Sequence, residues 1–172
     1  MTSAPTLRTS RLMLRHHTMD DFDLFARAMG SDHARFMGGP MSRREAWRLF
    51  CADVAQWSLL GHGAFAVVDN DNGSLAAQVG INGHPHFPET ELGWLTLPES
   101  QGKGYAFEAA QAVRDWAYKT RGITDLVSYI HPDNTRSIAL AERLEATLDA
   151  SAPAAPFPDH VVYRHPAPGV AA

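Results

Sequence analysis

The sequence predicts an α/β (α+β) protein built around one mixed β-sheet, and three observations support this prediction. Apolar residues alternate in some segments and recur every three to four residues in others, which indicates both strands and helices. The segment 70–73 reads Asn-Asp-Asn-Gly, a turn that favours an antiparallel hairpin. The segment 90–131 has the order strand, helix, strand, which requires a crossover and parallel pairing.

The first part of the chain is predicted to form one strand and then two helices. Leucines that alternate with arginines indicate the strand, and apolar residues at helical spacing indicate the helices. Each helix follows a Thr or Ser that has an acidic residue three positions later, which is the pattern of a capping pair. The predicted ranges are 8–16 for the strand, and 19–29 and 42–61 for the helices.

The remainder of the chain is predicted to alternate strands and helices after an initial hairpin. Runs of apolar and β-branched residues indicate the strands, and Gly122 is expected to end the longer helix. The predicted strands are 63–69, 75–82, 90–97, 126–131 and 161–164, and the predicted helices are 104–120 and 134–145.

Length and composition favour one soluble domain over residues 1–172, with short flexible ends. Of its 172 residues, 45% are hydrophobic and 20% are charged, which is typical of a globular protein. The net charge of −4 argues against a dedicated nucleic-acid binder. Cys51 is the only cysteine, so an intrachain disulfide is excluded. The sequence has neither a signal pattern nor an apolar run of about 18 residues, so we expect no membrane association and a cytoplasmic location.

The most informative segment is the turn 97–106, which joins a predicted strand to a predicted helix. Gly102 and Gly104 allow the backbone to approach a ligand, and the first amides of the helix are free to bind an anion. The Walker pattern is excluded because Gly104 follows Lys103, and the dinucleotide pattern is excluded because Phe107 replaces its third glycine. The residues alone therefore indicate either a diphosphate site or a tight strand-to-helix connection.

Three motifs resemble those of the GNAT acetyltransferases. Gln101-x-x-Gly104-x-Ala106 matches the Gln/Arg-x-x-Gly-x-Gly/Ala signature of that superfamily. The segments 91–109 and 131–137 resemble the branch that includes ribosomal-protein alanine N-acetyltransferases (RimJ/RimL-like), as does the opening strand. The resemblance covers about residues 7–165. It implies a mixed, mostly antiparallel sheet with a splayed parallel strand pair, flanked by about four helices.

The resemblance implies that acetyl-CoA lies where the strands 90–97 and 126–131 splay apart. Backbone groups around Leu95 and Leu97 should pair with the pantetheine arm as an added strand. The amides of Gly102 to Ala106 should hold the pyrophosphate, and Lys103 should add charge near the adenosine phosphates. Asn134 should contact the pantetheine, although an Asx turn that caps the last helix explains the same residue. The implied cofactor-binding residues are Leu95, Thr96, Leu97, Gln101, Gly102, Lys103, Gly104, Tyr105, Ala106, Asn134 and Ser137.

The resemblance also implies direct attack of a primary amine on the thioester in a ternary complex. We predict that Glu91 is the catalytic base, since strand alternation places it on the side expected to line the cleft. An exposed glutamate at a strand end is the alternative, and His84 and His86 are rival bases. A strand amide near Leu95 is expected to stabilise the oxyanion.

The sequence departs from the family pattern at two positions. Many members have a tyrosine that protonates the leaving thiolate, whereas this chain has Ala141 there. Ser137, water or no acid must then serve, and we predict a catalytic role for Ser137. Glu145 replaces the usual glycine after the last helix. A left-handed conformation at Glu145 would cost about 1–2 kcal/mol.

Several functions remain open on the sequence alone. A non-catalytic acyl-CoA-binding or sensory module would keep the glycine turn and lose the base, and a related enzyme could use a longer acyl or an aminoacyl donor. A phosphate-binding domain unrelated to CoA is a further alternative. The acceptor, a small molecule or a protein N-terminus, should enter between the helices of 19–59 and the loop 83–89. No metal is expected, and a homodimer is consistent with the family.

Overall fold

The structure is a computed structural model that describes residues 3–167 and 169. These residues form four α-helices and one eight-stranded sheet in the spatial order β1-β2-β3-β4-β5-β6-β8-β7. The strands are β1 (Leu7–Arg8), β2 (Leu12–Arg15), β3 (Ala64–Asp69), β4 (Leu75–Asn82), β5 (Glu91–Thr96), β6 (Val127–Ile130), β7 (Thr147–Leu148) and β8 (Val161–Arg164). The helices are α1 (Phe22–Met29), α2 (Arg43–Leu60), α3 (Tyr105–Trp116) and α4 (Thr135–Arg143).

The pairing of the strands confirms the predicted mixed and mostly antiparallel sheet. All neighbouring strands run antiparallel except β5 and β6, which run parallel on either side of the α3 crossover. The predicted hairpin is β3 and β4, and Gly73 in its turn has a positive φ of 70°.

The N-terminal elements differ from the sequence prediction. The single strand predicted over 8–16 is two short strands, because the chain turns where the Thr9 amide donates to the Leu12 carbonyl. The prediction also lacks β7 and a 3-10 helix at Asp32–Met37, since elements this short show no repeating apolar period.

The helix ends follow local backbone chemistry. The helix predicted over 104–120 is α3 followed by one π-helical turn, and Gly122 ends it in the left-handed conformation. Glu145 also adopts a positive φ of 65°, so the turn after α4 keeps its left-handed form without a glycine.

The predicted domain 1–172, with its expected flexible ends, includes residues 1, 2, 168 and 170–172, which lie outside the described residues. Across the described part of the chain, no helix combines the length and hydropathy needed to span a lipid bilayer.

Helices cover both faces of the sheet, which explains why its central strands are apolar on both sides. Leu92 of β5 belongs to the cluster that contains the buried face of α3. Leu95, three residues further along β5, packs in the cluster of Phe25 of α1 and Phe50 of α2 on the opposite face. By the same alternation Glu91, four residues before Leu95, points to the α1–α2 side.

The parallel strands β5 and β6 separate immediately after their first pair. Among the described residues, Glu91 and Val127 are the one registered pair between them. Beyond it, the Ser128 hydroxyl takes the place of a ladder amide and donates to the Leu92 carbonyl at 2.6 Å. We call the opening between the two strands the fork: its base is Glu91–Val127, and its open end lies where β5 and β6 end.

Candidate functional site

The backbone amides at the N-terminus of α3 are not capped by a side chain of the described residues. Gly102 and Gly104 both adopt left-handed backbone conformations, with φ of 76° and 78°. A Cβ atom on Gly102 would meet no atom within 4 Å, so the backbone here is accessible. Free amides at the positive end of a helix dipole suit a diphosphate, and the turn fits one.

A glutamate fixes the position of this turn. Glu108, in the first turn of α3, accepts hydrogen bonds from the Thr9 hydroxyl at 2.5 Å and from the Arg11 amide at 3.0 Å. Arg11 forms an ion pair with Glu108 at 2.6 Å and donates to the Lys103 carbonyl at 2.9 Å. The β1–β2 connection therefore holds the glycine turn in place. No local sequence pattern signals these contacts, because the partners lie 92 or more residues apart.

The side chains of the turn differ in what they leave free for a ligand. Tyr105 is buried, and its hydroxyl donates to Asp69 Oδ2 at 2.8 Å. Only the backbone amide of Tyr105 therefore remains for the predicted pyrophosphate contact. The predicted contact of Ala106 is also through its backbone amide. Lys103 is exposed, with Nζ 5.7 Å from the centroid of the Tyr105 ring.

The structure corrects the expected backbone pairing of β5. The Leu97 amide donates to the Ala76 carbonyl at 2.9 Å, so its polar groups belong to the ladder with β4. In an antiparallel ladder every second residue pairs this way, so Leu95 also faces β4. The backbone groups that face the fork are those of Trp94 and Thr96. Side chains alternate between the two faces of a sheet, whereas backbone amides alternate between the two edges of a strand, so the side-chain pattern does not predict which amides face the fork.

A chain of hydrogen bonds joins the glycine turn to the open end of the fork. His33 Nε2 lies 2.6 Å from the Thr96 carbonyl oxygen, and His33 Nδ1 lies 2.9 Å from Gln101 Nε2. Gln101 Oε1 in turn accepts from Arg136 Nη1 at 2.6 Å. The side chain of the predicted cofactor-binding Gln101 is thus held by two residues, His33 and Arg136, that sequence reasoning missed.

The last motif lies on the other side of the fork. Asn134 caps α4, since its Oδ1 accepts from the Ser137 amide at 3.3 Å. This is the capping contact that the sequence offered as the alternative for Asn134. Contact between Asn134 and pantetheine stays a prediction. Ser137 Oγ accepts from the Trp94 indole at 3.2 Å, which places this hydroxyl against β5.

Glu91 is a buried carboxyl group at the base of the fork. It is 8% exposed, so the alternative of an exposed glutamate at a strand end is wrong. Asn82 Nδ2 donates to its Oε2 at 2.7 Å, and Gln56 Nε2 donates to Asn82 Oδ1 at 3.2 Å. Burial raises the pKa of Glu91 to about 7, although hydrogen bonds from Asn82 and the Tyr129 amide lower it.

A second buried carboxyl group, Asp53 of α2, lies near Glu91. Gln78 Nε2 donates to its Oδ2 at 2.7 Å. Burial raises the pKa of Asp53 to about 6, and its charge raises the pKa of Glu91 further. The sequence holds a signal for this residue, since Asp53 lies at helical spacing from the buried Phe50 and Trp57.

The rival bases lie in the loop before β5. The rings of His84 and His86 are 5.7 Å apart, and His86 is exposed. Burial lowers the pKa of His84, with a smaller contribution from His86. Within residues 3–167 and 169, no three His, Cys, Asp or Glu side chains form a group that could hold a metal ion.

The sequence and the fold match known acetyltransferases. A family model described as an acetyltransferase (GNAT) domain matches residues 11–147. The crystal structure of an acetyltransferase from Agrobacterium tumefaciens is 45% identical, covers 96% of both chains and superposes with a TM-score of 0.90. A ribosomal-protein-S5-alanine acetyltransferase from Vibrio fischeri, 17% identical over 96% of this chain and 98% of its own, shares the fold with a TM-score of 0.73.

A curated relative matches a shorter stretch. This relative is the uncharacterized N-acetyltransferase YnaD of Bacillus subtilis, which is 33% identical over 54 residues. The match covers 31% of this chain and 32% of that protein, so the chain spans about a third of the relative's length. The family model covers most of the chain, and the glycine turn, the fork and the strand order agree with it. The chain therefore belongs to the GNAT acetyltransferase family.

Proposed function

We propose that this protein is an N-acetyltransferase that uses acetyl-CoA to acetylate a primary amine by direct attack in a ternary complex. The observation that carries the proposal is Glu91, a buried carboxyl group at the base of the fork with a pKa of about 7. A group that changes its protonation near neutral pH is suited to act as a general base.

The residues of the fork divide the work of binding and proton transfer. When bound, acetyl-CoA supplies the thioester carbonyl that the amine attacks. The amides of 102–106 would hold its pyrophosphate, and the fork-facing backbone of Trp94 and Thr96 would pair with the pantetheine arm. The Trp94 amide, rather than that of Leu95, is the proposed donor to the carbonyl oxygen, because it faces the fork.

Two side chains would move protons. Ionised Glu91 would accept the proton that the attacking amine loses, directly or through water. Ser137 accepts a hydrogen bond from the Trp94 indole and so keeps its own O–H available. The Ser137 hydroxyl is the proposed proton donor to the leaving thiolate. It would take the role of the tyrosine that many family members have at the position of Ala141.

The acceptor is the least constrained part of the proposal. The motif at 131–137 resembles the RimJ/RimL-like branch. That resemblance favours the N-terminal amine of a protein as the acceptor. A small amine is the second candidate, and a cytoplasmic enzyme without a metal fits both. The two buried carboxyl groups, Asp53 on α2 and Glu91 on β5, support a cationic acceptor.

The cofactor site is tested by titration calorimetry with acetyl-CoA and CoA on a matched pair of variants. Gly102→Asn and Gly102→Asp have similar shapes, and both residues tolerate the left-handed conformation better than most. Only the aspartate adds a negative charge where the pyrophosphate would lie. We expect Gly102→Asp to bind at least about tenfold more weakly than Gly102→Asn. If wild type releases no heat with millimolar CoA, the proposed function is wrong.

A non-catalytic acyl-CoA-binding module predicts a different result with Glu91→Gln. Such a module would bind CoA and acetylate no amine, and the substitution would change nothing that can be measured. An acetyltransferase loses its rate and keeps its CoA affinity. Screening amine acceptors and synthetic N-terminal peptides with wild type and Glu91→Gln separates the two.

A further inference from the structure

A short 3-10 helix extends across the open end of the fork. This segment, Asp32–Met37, is called the strap below. On one side, His33 Nε2 contacts the Thr96 carbonyl oxygen at the end of β5. On the other side, the Phe36 ring stacks on His131, the residue after β6, with centroids 5.0 Å apart. The Phe36 carbonyl also lies 3.3 Å from His160 Nε2. The strap is therefore attached to both arms of the fork at its open end.

The partners of His33 indicate the direction of each hydrogen bond in this chain. A carbonyl oxygen only accepts, so His33 Nε2 carries hydrogen and donates to Thr96. Arg136 donates to Gln101 Oε1, which leaves the Gln101 amide nitrogen to donate to His33 Nδ1. Every bond from α4 to β5 then runs from donor to acceptor. The chain thus connects the signature Gln101 to the strap.

We infer that His33 is a positioning residue which acetyl-CoA displaces from the Thr96 carbonyl, so that cofactor binding releases the β5 attachment of the strap. This inference rests on the proposed function. Thr96 has one of the two fork-facing backbone positions near the open end, where an extended pantetheine arm would pair as an added strand. His33 lies 2.6 Å from that oxygen on the side that faces the fork, so an added strand would need the place that the imidazole takes.

Release of the strap connects the cofactor to the acceptor side of the fold. The strap lies between α1 and α2 in the chain, and these helices cover the face toward which Glu91 points. A strap freed from β5 would change the wall of that face only after the cofactor is in place. The expected consequence is ordered binding, with acetyl-CoA first and the amine second.

The competition is tested by calorimetry with CoA on four proteins. His33→Ala removes the competing donor and should bind CoA about threefold to tenfold more tightly than wild type. His33→Gln keeps an N–H donor for Thr96 and should return the affinity to within about twofold of wild type. Phe36→Ala detaches the other end of the strap, leaves Thr96 untouched, and should also stay within about twofold.

Hydrogen exchange gives a second readout that does not depend on affinity. The amides of Ala34 and Gly39, which bond to Ser31 and Ala34 carbonyls, report on the strap. CoA should speed their exchange in wild type, whereas in His33→Ala their exchange should be fast from the start and unaffected by CoA. Slower exchange with CoA in wild type, or unchanged or weaker CoA binding by a folded His33→Ala, would overturn the inference alone. Absence of CoA binding by wild type would overturn the proposed function with it.

Discussion

Two carboxyl groups, Asp21 and Glu91, are buried to similar extents, but their pKa values are shifted in opposite directions. Asp21 is 3% exposed and Glu91 is 8% exposed. Burial by itself would raise the pKa of Asp21, but bonds from Arg15, His17 and the Thr18 amide outweigh it and lower the pKa below its usual range. Burial raises the pKa of Glu91 to about 7, because an amide side chain and a backbone N–H are too weak to offset it.

The difference between the two groups is a cation. Arg15 donates to both oxygens of Asp21, at 2.7 and 2.8 Å, and the same carboxylate accepts from the Thr18 amide before α1. The neighbour of Glu91 is the neutral Asn82. Asp21 is thus a permanently charged structural residue, whereas Glu91 can gain and lose a proton near neutral pH.

The largest expected effect is on the rate of acetyl transfer, which should depend on Glu91 and not on Asp21. Glu91→Gln keeps the volume of the side chain and an acceptor for Asn82, but it cannot take a proton. We expect kcat/KM to fall about 10²- to 10⁴-fold, with CoA affinity within about twofold of wild type. Steady-state assays with the acceptor found by screening, together with calorimetry, measure both. A loss of rate below about threefold would show that another group is the base.

The next effect separates them by stability. Asp21→Asn leaves the partly buried Arg15 without its carboxylate and should lower the free energy of unfolding by about 2–4 kcal/mol. The rate of the folded protein should change less than about threefold. The control is Asp23→Asn, which breaks an ion pair with Arg43 on the exposed surface and should cost less than about 1 kcal/mol. Urea unfolding of the three proteins provides the comparison, and equal losses for both variants would contradict it.

The pH dependence of stability should have opposite signs at the two sites. The pKa of Glu91 in the folded protein lies above the ordinary 4.5, so its contribution is present below that pH and is lost as the pH rises to about 7. The loss is about 3 kcal/mol, at about 1.4 kcal/mol per pH unit. The pKa of Asp21 is lowered, so its contribution is present above pH 3.8 and is lost as the pH falls further.

Unfolding curves at several pH values measure these signs. The stability of Glu91→Gln relative to wild type should increase between about pH 5 and pH 8. The advantage of wild type over Asp21→Asn should shrink as the pH is lowered from about 5 to 3. Differences that do not vary with pH would show that neither carboxyl group has a shifted pKa.

The smallest expected effect is a change in the pKa of Glu91 when its hydrogen-bond partner Asn82 is replaced. The Asn82 hydrogen bond favours the charged form of Glu91, so Asn82→Ala should raise its pKa further. The acidic limb of the pH–rate profile should move to higher pH, with the rate at pH 7 lowered about threefold to fivefold and recovered above pH 8. A profile that keeps its acidic limb and falls at every pH would instead indicate damage to the fold.

Local patterns in the sequence predicted the elements that local chemistry determines. The signature from Gln101 to Ala106, the hairpin turn and the alternation that turns Glu91 inward are all encoded within a few residues. Asp53 could have been predicted as well, from its spacing to Phe50 and Trp57. Each of these signals is a periodicity or a motif that neighbouring residues carry.

Contacts between distant segments could not be predicted in this way. His33 meets Thr96 across 63 positions of sequence and Gln101 across 68, from a 3-10 helix without a repeating pattern. Glu108 meets Thr9 across 99. The acidity of Glu91 also depends on the absence of a nearby cation, which only the packed structure of the described residues defines.

Glu91 is expected to titrate near neutral pH, whereas the similarly buried Asp21 is not. The most direct test is a carbon-detected NMR titration of the side-chain carboxyl groups in wild type, assigned with Glu91→Gln and Asp21→Asn. We expect the Glu91 resonance to move with an apparent pKa of about 7 and the Asp21 resonance to stay at its ionised shift down to below pH 3.8. A Glu91 pKa near the ordinary 4.5 would contradict the assignment of Glu91 as the base.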